Sequence, residues 1–198
     1  MANQKEAFIF IGKSGSGKGT QAELVRKFLS EQKPDEKVVY EETGALFRTF
    51  INEASYTAQL SKKHMHTGAR QPDFLAVLMW GNMFVRSITG NEHLIIDGSP
   101  RALSEAHILD TALAFYGFKV TVFYIHITDE EATRRLSARG REDDKSVEEV
   151  EKRLAWFHRD VEPALTYYRT HPAHTFVELN GEAPIEDVHA TIIKTLSS

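Results

Sequence analysis

The sequence contains no cysteine, which excludes disulfide bonds and cysteine-ligated zinc sites and permits a reducing compartment. It has no apolar run near the roughly 18 residues of a membrane span, and the segment from Met1 to Glu6 is polar. A net charge of −4 leaves no overall positive field that would gather nucleic-acid phosphates. We therefore expect a cytoplasmic protein whose partners include neither a membrane nor a nucleic acid.

The 198 residues, 41% hydrophobic and 26% charged, suit one globular domain. Helical patterns separate five short apolar runs, which predict strands over residues 7–11, 37–40, 93–97, 119–127 and 174–179. Alternating strands and helices indicate an α/β fold with a parallel sheet covered on both faces, because a parallel connection needs a crossover. Ligands of such folds bind beyond the carboxyl ends of the strands.

Two predictions concern the second half of the chain and its histidines. Residues 146–168 carry apolar side chains every three or four positions, which predicts one helix with a buried stripe that Pro163 kinks or divides. Four histidines are predicted to be surface residues and not metal ligands: His64, His66, His171 and His174.

The stretch from Gly12 to Gln21 joins the first predicted strand to a helix. Its glycines at positions 12, 15, 17 and 19 allow a tight turn in which successive N–H groups point into one concavity. The helix dipole, the Lys18 ammonium group and the hydroxyl groups of Ser16 and Thr20 suit the phosphates of a nucleotide. Gly19 stands where the general phosphate-loop pattern has Ser or Thr after the lysine.

Two further segments follow predicted strands. Thr43 is placed to cap the next helix, and Arg48 lies four residues after Gly44, so both face roughly the same way. Asp97 ends a strand beside the phosphate loop, where a carboxylate can hold hydrated magnesium. Arg101, predicted at the start of the following helix, can bind a phosphate in a fork.

A third segment, residues 134–144, combines four arginines with Gly140, and Arg153 follows. Arginines in the last turn of a helix favour the dipole and stay solvated. The same cluster can also form a loop that folds over a polyphosphate.

Taken together, these motifs resemble those of adenylate kinase and the related nucleoside monophosphate kinases. The resemblance extends from residue 8 to about residue 181 and rests on Gly-Lys-Gly-Thr-Gln, Thr-Gly with Arg48, Asp-Gly-Ser-Pro-Arg, and an arginine and Asp143-Asp144 pattern that ends at Arg153. It implies a three-layer P-loop NTPase fold with a five-stranded parallel sheet. One kinase domain, 1–198, would comprise a core (1–42, 73–134, 145–198), a monophosphate-binding flap (43–72) and a very short lid (135–144).

The resemblance also implies a reaction and the residues that carry it. The protein would act as a monomer and move the γ-phosphoryl group of Mg-ATP to a nucleoside monophosphate, most simply AMP. The implied catalytic residues are Lys18, Arg101, Arg139, Arg141 and Arg153. ATP would contact Gly15, Ser16, Gly17, Lys18, Gly19, Thr20, Arg135, Arg139 and Gly181. The acceptor would contact Thr43, Gly44, Arg48, Gln71, Gly98, Arg101, Glu105, Arg141 and Arg153, and Asp97 would hold Mg²⁺ through water.

The acceptor base is the open question at this point. Glu105 replaces the family's adenine-reading glutamine, and an ionised glutamate only accepts hydrogen bonds, which suits guanine better. AMP is preferred from the overall match, with GMP or a pyrimidine monophosphate as the alternative acceptor.

Three other classes of protein are alternatives to this interpretation. A GTPase-like switch would normally carry Asn-Lys-x-Asp, which does not occur. A nucleotide-binding module without catalysis is favoured by the short lid but opposed by the retained Lys18 and arginines. A small-metabolite kinase on the same scaffold would be distinguished by substrate tests alone.

Overall fold

The computed structural model describes residues 5–139 and 147–197, apart from the side chains of Arg139 and Val147. The strands are β1 (Glu6–Gly12), β2 (Lys37–Glu42), β3 (Glu92–Asp97), β4 (Lys119–His126) and β5 (Thr175–Asn180). The α-helices are α1 (Lys18–Gln32), α2 (Thr43–Phe50), α3 (Tyr56–His66), α4 (Asp73–Ser87), α5 (Leu103–Tyr116), α6 (Asp129–Arg139), α7 (Val147–Trp156), α8 (Glu162–Thr170) and α9 (Ile185–Leu196).

The five strands form one parallel sheet in the order β2-β3-β1-β4-β5. This confirms the predicted α/β fold with a five-stranded parallel sheet. From β1 the chain crosses to β2 and returns to β3, whereas β4 and β5 lie on the other side of β1. The order therefore switches direction at β1, and the crevice at its carboxyl end is where such folds bind ligands.

Alternating side chains of β1 divide the core into two layers. Phe8 and Phe10 pack with α1 and α9 on one face, while Ala7, Ile9 and Ile11 pack with α4, α5 and α8 on the other. Helices thus cover both faces, as a parallel sheet requires. Within the described residues, no helix combines the length and apolar character that a membrane crossing requires.

The helix predicted over residues 146–168, kinked or divided at Pro163, is divided at a different place. Two α-helices, α7 and α8, are joined by a π-helical turn at Phe157–Val161. The irregularity precedes Pro163, which lies in the first turn of α8, where its missing N–H group costs little. The wider turn lets Phe157 and Val161 stay buried at 2% exposure each, so the apolar stripe continues through the break.

Two smaller predictions also need correction. Arg101 does not start a helix, because α5 begins at Leu103 and Ala102 is its extended N-cap. Of the four histidines, His64 and His66 are exposed as predicted, but the side chains of His171 and His174 are only 23% and 9% exposed.

Replacing Gly181 with Ala should destabilise the fold, because the new Cβ would lie 2.6 Å from Ile125 Cγ2 and 3.0 Å from the His126 carbonyl oxygen. Crowding of this kind costs about 1–3 kcal/mol. The matched control is Gly81→Ala inside α4, where no described atom beyond the helix's own backbone lies within 4 Å, so the free energy of unfolding should rise by about 0.5–1 kcal/mol. Urea unfolding measures both variants, and equal effects would contradict the prediction.

Candidate active site

A cavity of about 810 Å³ opens beyond the carboxyl ends of β1, β2 and β3. Its walls come from the loop after β1, from α2 and the segment after α3, and from α6 and α7. The sequence-predicted residues that line it are Gly15, Gly17, Lys18, Gly19, Thr20, Gly44, Arg48, Gln71, Asp97, Gly98, Arg101, Arg135 and Arg153. Segments distant in sequence are thus brought to one site.

The loop between β1 and α1 forms the floor of one half of the cavity. Gly15 and Gly17 have φ angles of 85° and 88°, a left-handed conformation that strains other residues. The loop ends at Gly17, which is the N-cap of α1, so Lys18 is the first helical residue. The N–H groups of this first turn have no intrahelical partner and carry the positive end of the helix dipole, which makes the loop an anion site.

Asp97, the last residue of β3, lies against this loop. A Cβ on Gly19 would lie 2.9 Å from Asp97 Oδ2, so the close approach of the carboxylate explains why glycine follows Lys18. Burial raises the pKa of Asp97, and the nearby Lys18 opposes that rise. Tyr40 donates to Asp97 Oδ2 at 3.3 Å, while buried Oδ1 accepts no hydrogen bond from the described residues.

Arg48 and Arg101 converge on one point at the other half of the cavity. Arg48 Nη1 lies 3.1 Å and Arg101 Nη2 3.9 Å from the position that a Cβ on Gly44 would occupy. Glycine at this position therefore leaves room between two guanidinium groups. Arg48 also pairs with Glu42, Nη2 to Oε1, at 2.5 Å.

The Arg101 guanidinium group lies in the wall of the cavity and is held there by two contacts. Its Nε donates to the Gly98 carbonyl oxygen at 2.7 Å, and its charge lies 5.9 Å from the centre of the Trp156 ring. Burial lowers the pKa of Arg101, the Glu105 carboxylate opposes that effect, and Arg153 adds repulsion. Because the guanidinium groups of Arg48 and Arg101 lie near one another and face the cavity, they favour a multiply charged anion such as a phosphate.

Arg135 has a supporting position at the edge of the cavity. Its Nη2 donates to the Gly181 carbonyl oxygen at 2.9 Å and its Nη1 to the Gly15 carbonyl oxygen at 3.3 Å, while Nε pairs with Glu131 at 2.6 Å. Arg135 thus ties α6 to the phosphate loop and to the turn after β5. Gly181 itself does not line the cavity.

Glu105 does not lie at the cavity surface. It is fully buried; its Oε1 accepts from the Trp80 indole at 3.1 Å and its Oε2 from the Arg101 backbone N–H at 2.7 Å. Glu105 is the third residue of α5, so its carboxylate ties the first turn of that helix to the residue before the N-cap Ala102. This placement argues against the expectation that Glu105 reads the acceptor base.

Gln71 lines the cavity, but its amide group is already paired. Its Nε2 donates to the Ser61 carbonyl oxygen and its Oε1 accepts from the Ser61 hydroxyl, both at 2.9 Å. Thr43 does not cap α2, whose N-cap is Glu42; its hydroxyl lies 2.5 Å from that of Ser99 and is buried. Both side chains therefore connect segments of the protein around the cavity.

Three predicted residues need separate mention. Ser16 is 2% exposed and does not line the cavity. Arg141, together with the rest of residues 140–146, lies outside the described residues, and Arg139 is described only as the end of α6.

Sequence reasoning missed several residues of the cavity wall. Tyr40, Glu42, Arg70 and Trp156 line it. Arg70 Nε donates to Asp160 at 3.1 Å and another of its nitrogens pairs with Asp73, so it joins the segment after α3 to the π-helical turn. Glu42 and Trp156 are the last residues of β2 and α7, and this position was the signal by which they could have been predicted to line the site.

Glu41 lies in β2 beneath this site and is 1% exposed. Burial raises its pKa to about 8; the Thr43 hydroxyl and Arg101 oppose the shift, and Glu105 and Asp97 add to it. Neither carboxyl oxygen makes a well-aligned hydrogen bond with a described residue. At neutral pH this carboxyl group is therefore mostly protonated.

Comparison with known proteins gives a consistent match. The family model described as "Adenylate kinase" matches residues 10–173. Adenylate kinase of Azobacteroides pseudotrichonymphae is 28% identical over 193 residues, covering 95% of both chains. Adenylate kinase of Dehalococcoides mccartyi strain BAV1 is 30% identical over 220 residues, covering 95% of this chain and 96% of that protein. Adenylate kinase of Flavobacterium psychrophilum is 29% identical over 198 residues, covering 96% and 97%.

Glu41→Gln should change how stability depends on pH. Between the ordinary carboxyl pKa of 4.5 and the folded-state value of about 8, folded wild type holds a proton that the unfolded chain has lost. Wild-type stability therefore falls as pH rises through this window, by at most about 1.4 kcal/mol per pH unit from this group. The glutamine variant lacks this contribution, so its stability relative to wild type should increase from pH 5 to pH 8.

Urea unfolding at pH 5, 6, 7 and 8 measures this difference. The control is Glu130→Gln, an exposed position in α6, whose stability curve should parallel that of wild type. Parallel curves for Glu41→Gln and wild type would show that Glu41 ionises normally in the fold.

Proposed function

The chain belongs to the adenylate kinase family, and from that premise we propose that its cavity transfers the γ-phosphoryl group of Mg-ATP to AMP, giving two molecules of ADP. The observation that carries this proposal is the meeting of two different anion sites in one cavity. The phosphate loop with Lys18 supplies one, and the arginines around Gly44 and Gly98 supply the other. Two phosphate-bearing substrates can then be held with their reacting groups together.

ATP would occupy the half of the cavity formed by the phosphate loop. The first-turn N–H groups of α1 and the Lys18 ammonium group would hold its phosphates. Lys18 is well placed for this role, since its Cε lies 3.8 Å from the position of a Cβ on Gly98, between the loop and the acceptor half. Arg135 would keep the loop in place through its hydrogen bonds to Gly15 and Gly181.

AMP would occupy the half formed by α2 and the end of β3. Arg48 and Arg101 would bind its phosphate from two sides of Gly44. Phe47 and Met65 line the same region and would contact the base. The reason to favour guanine was the hydrogen-bonding capacity of Glu105, and that carboxylate is occupied by Trp80 and Arg101.

The transfer itself needs positive charge around the moving phosphoryl group and no covalent nucleophile. Arg153 is close enough to Arg101 to affect its pKa, so both can face the transferring group. We assign Arg139 and Arg141 to closure over the phosphates by family resemblance. Residues 43–72 would serve as the acceptor flap and residues 135–144 as a short lid, which together exclude water from the reaction.

The end of β3 fits a magnesium ion bound through water. Asp97 Oδ1 is buried and accepts no hydrogen bond from a described residue, and its carboxylate adjoins the phosphate loop at Gly19. Oxygen ligands and retained water are what Mg²⁺ prefers beside phosphates. When bound, the ion offsets the negative charge of the ATP phosphates.

ADP formation from Mg-ATP should be fastest with AMP when AMP, GMP, CMP, UMP and dTMP are compared as acceptors.

Replacing Lys18 with Met should lower kcat at least about a hundredfold, because a charge that stabilises the transition state is lost. Circular dichroism should show that the fold is retained. Lys27→Met is the matched control, since Lys27 lies on the same helix with its side chain 71% exposed; its turnover should equal that of wild type.

A preference for another acceptor would refute the choice of AMP and leave the phosphotransferase assignment intact. No turnover with any acceptor, from a folded wild-type chain, would refute the activity itself.

Arg48→Met should raise the KM for AMP by about ten- to a hundredfold while leaving the KM for ATP within twofold. The expected loss corresponds to one charge-assisted hydrogen-bonding group, about 1.5–3 kcal/mol. Initial rates measured with each substrate varied in turn give both constants. Arg86→Met, at an exposed position of α4, is the control. Equal rises in both KM values would place Arg48 outside the acceptor half.

A further inference from the structure

A second cluster of titratable side chains lies near the amino ends of strands β4 and β5, whereas the cavity lies at the carboxyl ends of the strands. It comprises Asp110 on α5, His171 directly after α8, and His174 directly before β5. Thr175, the first residue of β5, pairs with Thr121 near the amino end of β4. The cavity lies at the carboxyl ends of the strands, so the cluster is separate from it.

The three side chains face one another at short range. Asp110 Oδ2 lies 3.2 Å from His174 Nε2 and 3.7 Å from His171 Nε2. One ligand atom from each residue lies within 4.8 Å of the others. Metal–ligand bonds of about 2.0–2.2 Å in tetrahedral geometry place neighbouring ligand atoms about 3.3 Å apart, so the Asp110–His174 separation already has the required size.

The cluster is partly buried, and some of its polar atoms have no hydrogen-bond partner among the described residues. The side chains of His174 and Asp110 are 9% and 12% exposed. Among the described residues, neither ring nitrogen of His174 has a well-aligned hydrogen-bond partner, and neither has Asp110 Oδ1. Buried polar atoms without partners cost about 1–3 kcal/mol each, and a bound ion is one way in which several such atoms in one place are satisfied.

We propose that Asp110, His171 and His174 bind a divalent transition-metal ion of the zinc class. Two imidazole nitrogens and one carboxylate are a ligand set that Zn²⁺ uses in proteins. Imidazole ligands select zinc and similar ions over Mg²⁺, which prefers oxygen. Water completes the coordination, since three protein ligands leave one tetrahedral position.

The histidine rings must reorient when the ion binds. They stack with centroids 3.8 Å apart and planes inclined by 17°, so their nitrogen lone pairs lie in two nearly parallel planes and do not meet at one ion. The Ala173 N–H group donates to His171 Nδ1 at 3.3 Å, a long bond that is readily given up. Rotation of the His171 ring would then turn Nε2 toward an ion held beside His174.

Tyr167 supports the carboxylate from outside the cluster. Its hydroxyl donates to Asp110 Oδ2 at 2.5 Å, and the His107 ring packs edge-on against it at 4.7 Å. A carboxylate oxygen can accept this bond and still coordinate a metal with its other lone pair. Outer hydrogen bonds of this kind fix the orientation of a metal ligand.

Zinc binding to the untagged, metal-stripped chain, in the absence of nucleotide, tests the proposal. Titration calorimetry should show one Zn²⁺ per wild-type chain, and Co²⁺ should give the visible absorption bands of a tetrahedral site. Asp110→Asn and His174→Gln should each weaken Zn²⁺ binding at least about tenfold. The matched control, a His64→Gln and His66→Gln double variant on exposed positions, should bind as wild type does.

The proposal is overturned if wild type binds no Zn²⁺, or if Asp110→Asn and His174→Gln bind it within twofold of wild type. It is also overturned if the control variant loses binding, because the ion then lies at α3. Kinase turnover with Mg-ATP reports whether each variant folds. If a variant does not fold, the histidine ring resonances in NMR spectra of the wild-type chain test the proposal instead. Zn²⁺ must then shift the resonances of His171 and His174 and leave those of His64 and His66 unchanged.

Discussion

The partial burial of the Arg101 guanidinium group is the constraint on which the rest of the site depends. A buried cation is costly unless it is hydrogen-bonded and near opposite charges. The Gly98 carbonyl oxygen supplies the hydrogen bond, and the carboxyl groups of Glu105 and Asp97 lie near enough to stabilise the charge. Because these groups are held by the sheet and by α5, Arg101 faces Gly44 without having to be ordered by the ligand, which is the preorganisation that phosphoryl transfer needs.

Sequence patterns were sufficient for the sheet because each strand is a short apolar run bounded by turn residues, and parallel pairing follows from the helices between them. Sequence patterns gave wrong helix boundaries where a local contact determines the backbone conformation. Arg101 stays outside α5 since its N–H group bonds the Glu105 carboxylate and Ala102 is extended. The π-helical turn before Pro163 could not be predicted from the apolar pattern either, because Phe157 and Val161 keep their helical spacing through it.

The same limit applies to the candidate site. Spacing predicted which residues come to the strand ends, and Gly44 with Arg48 shows the expected proximity. Spacing does not give the direction of a side chain whose polar group finds a partner inside the protein. Glu105 pairs with Trp80 and Gln71 with Ser61, and both partners come from helices that no motif included. Gly19 had appeared as a departure from the phosphate-loop pattern, yet the approach of Asp97 requires it.

The proposed metal cluster is connected to the cavity through α5, whose Glu105 bonds the backbone of Arg101, and this decides how far an ion could influence the reaction. Asp110 lies in the middle of α5 and Glu105 in its first turn. An ion at Asp110 would fix α5 against the connection between α8 and β5. The first turn is already held by the bonds of Glu105 to Arg101 and Trp80. Since those contacts and not the middle of α5 position Arg101, the ion would stabilise the fold and leave the proposed phosphate sites as they are.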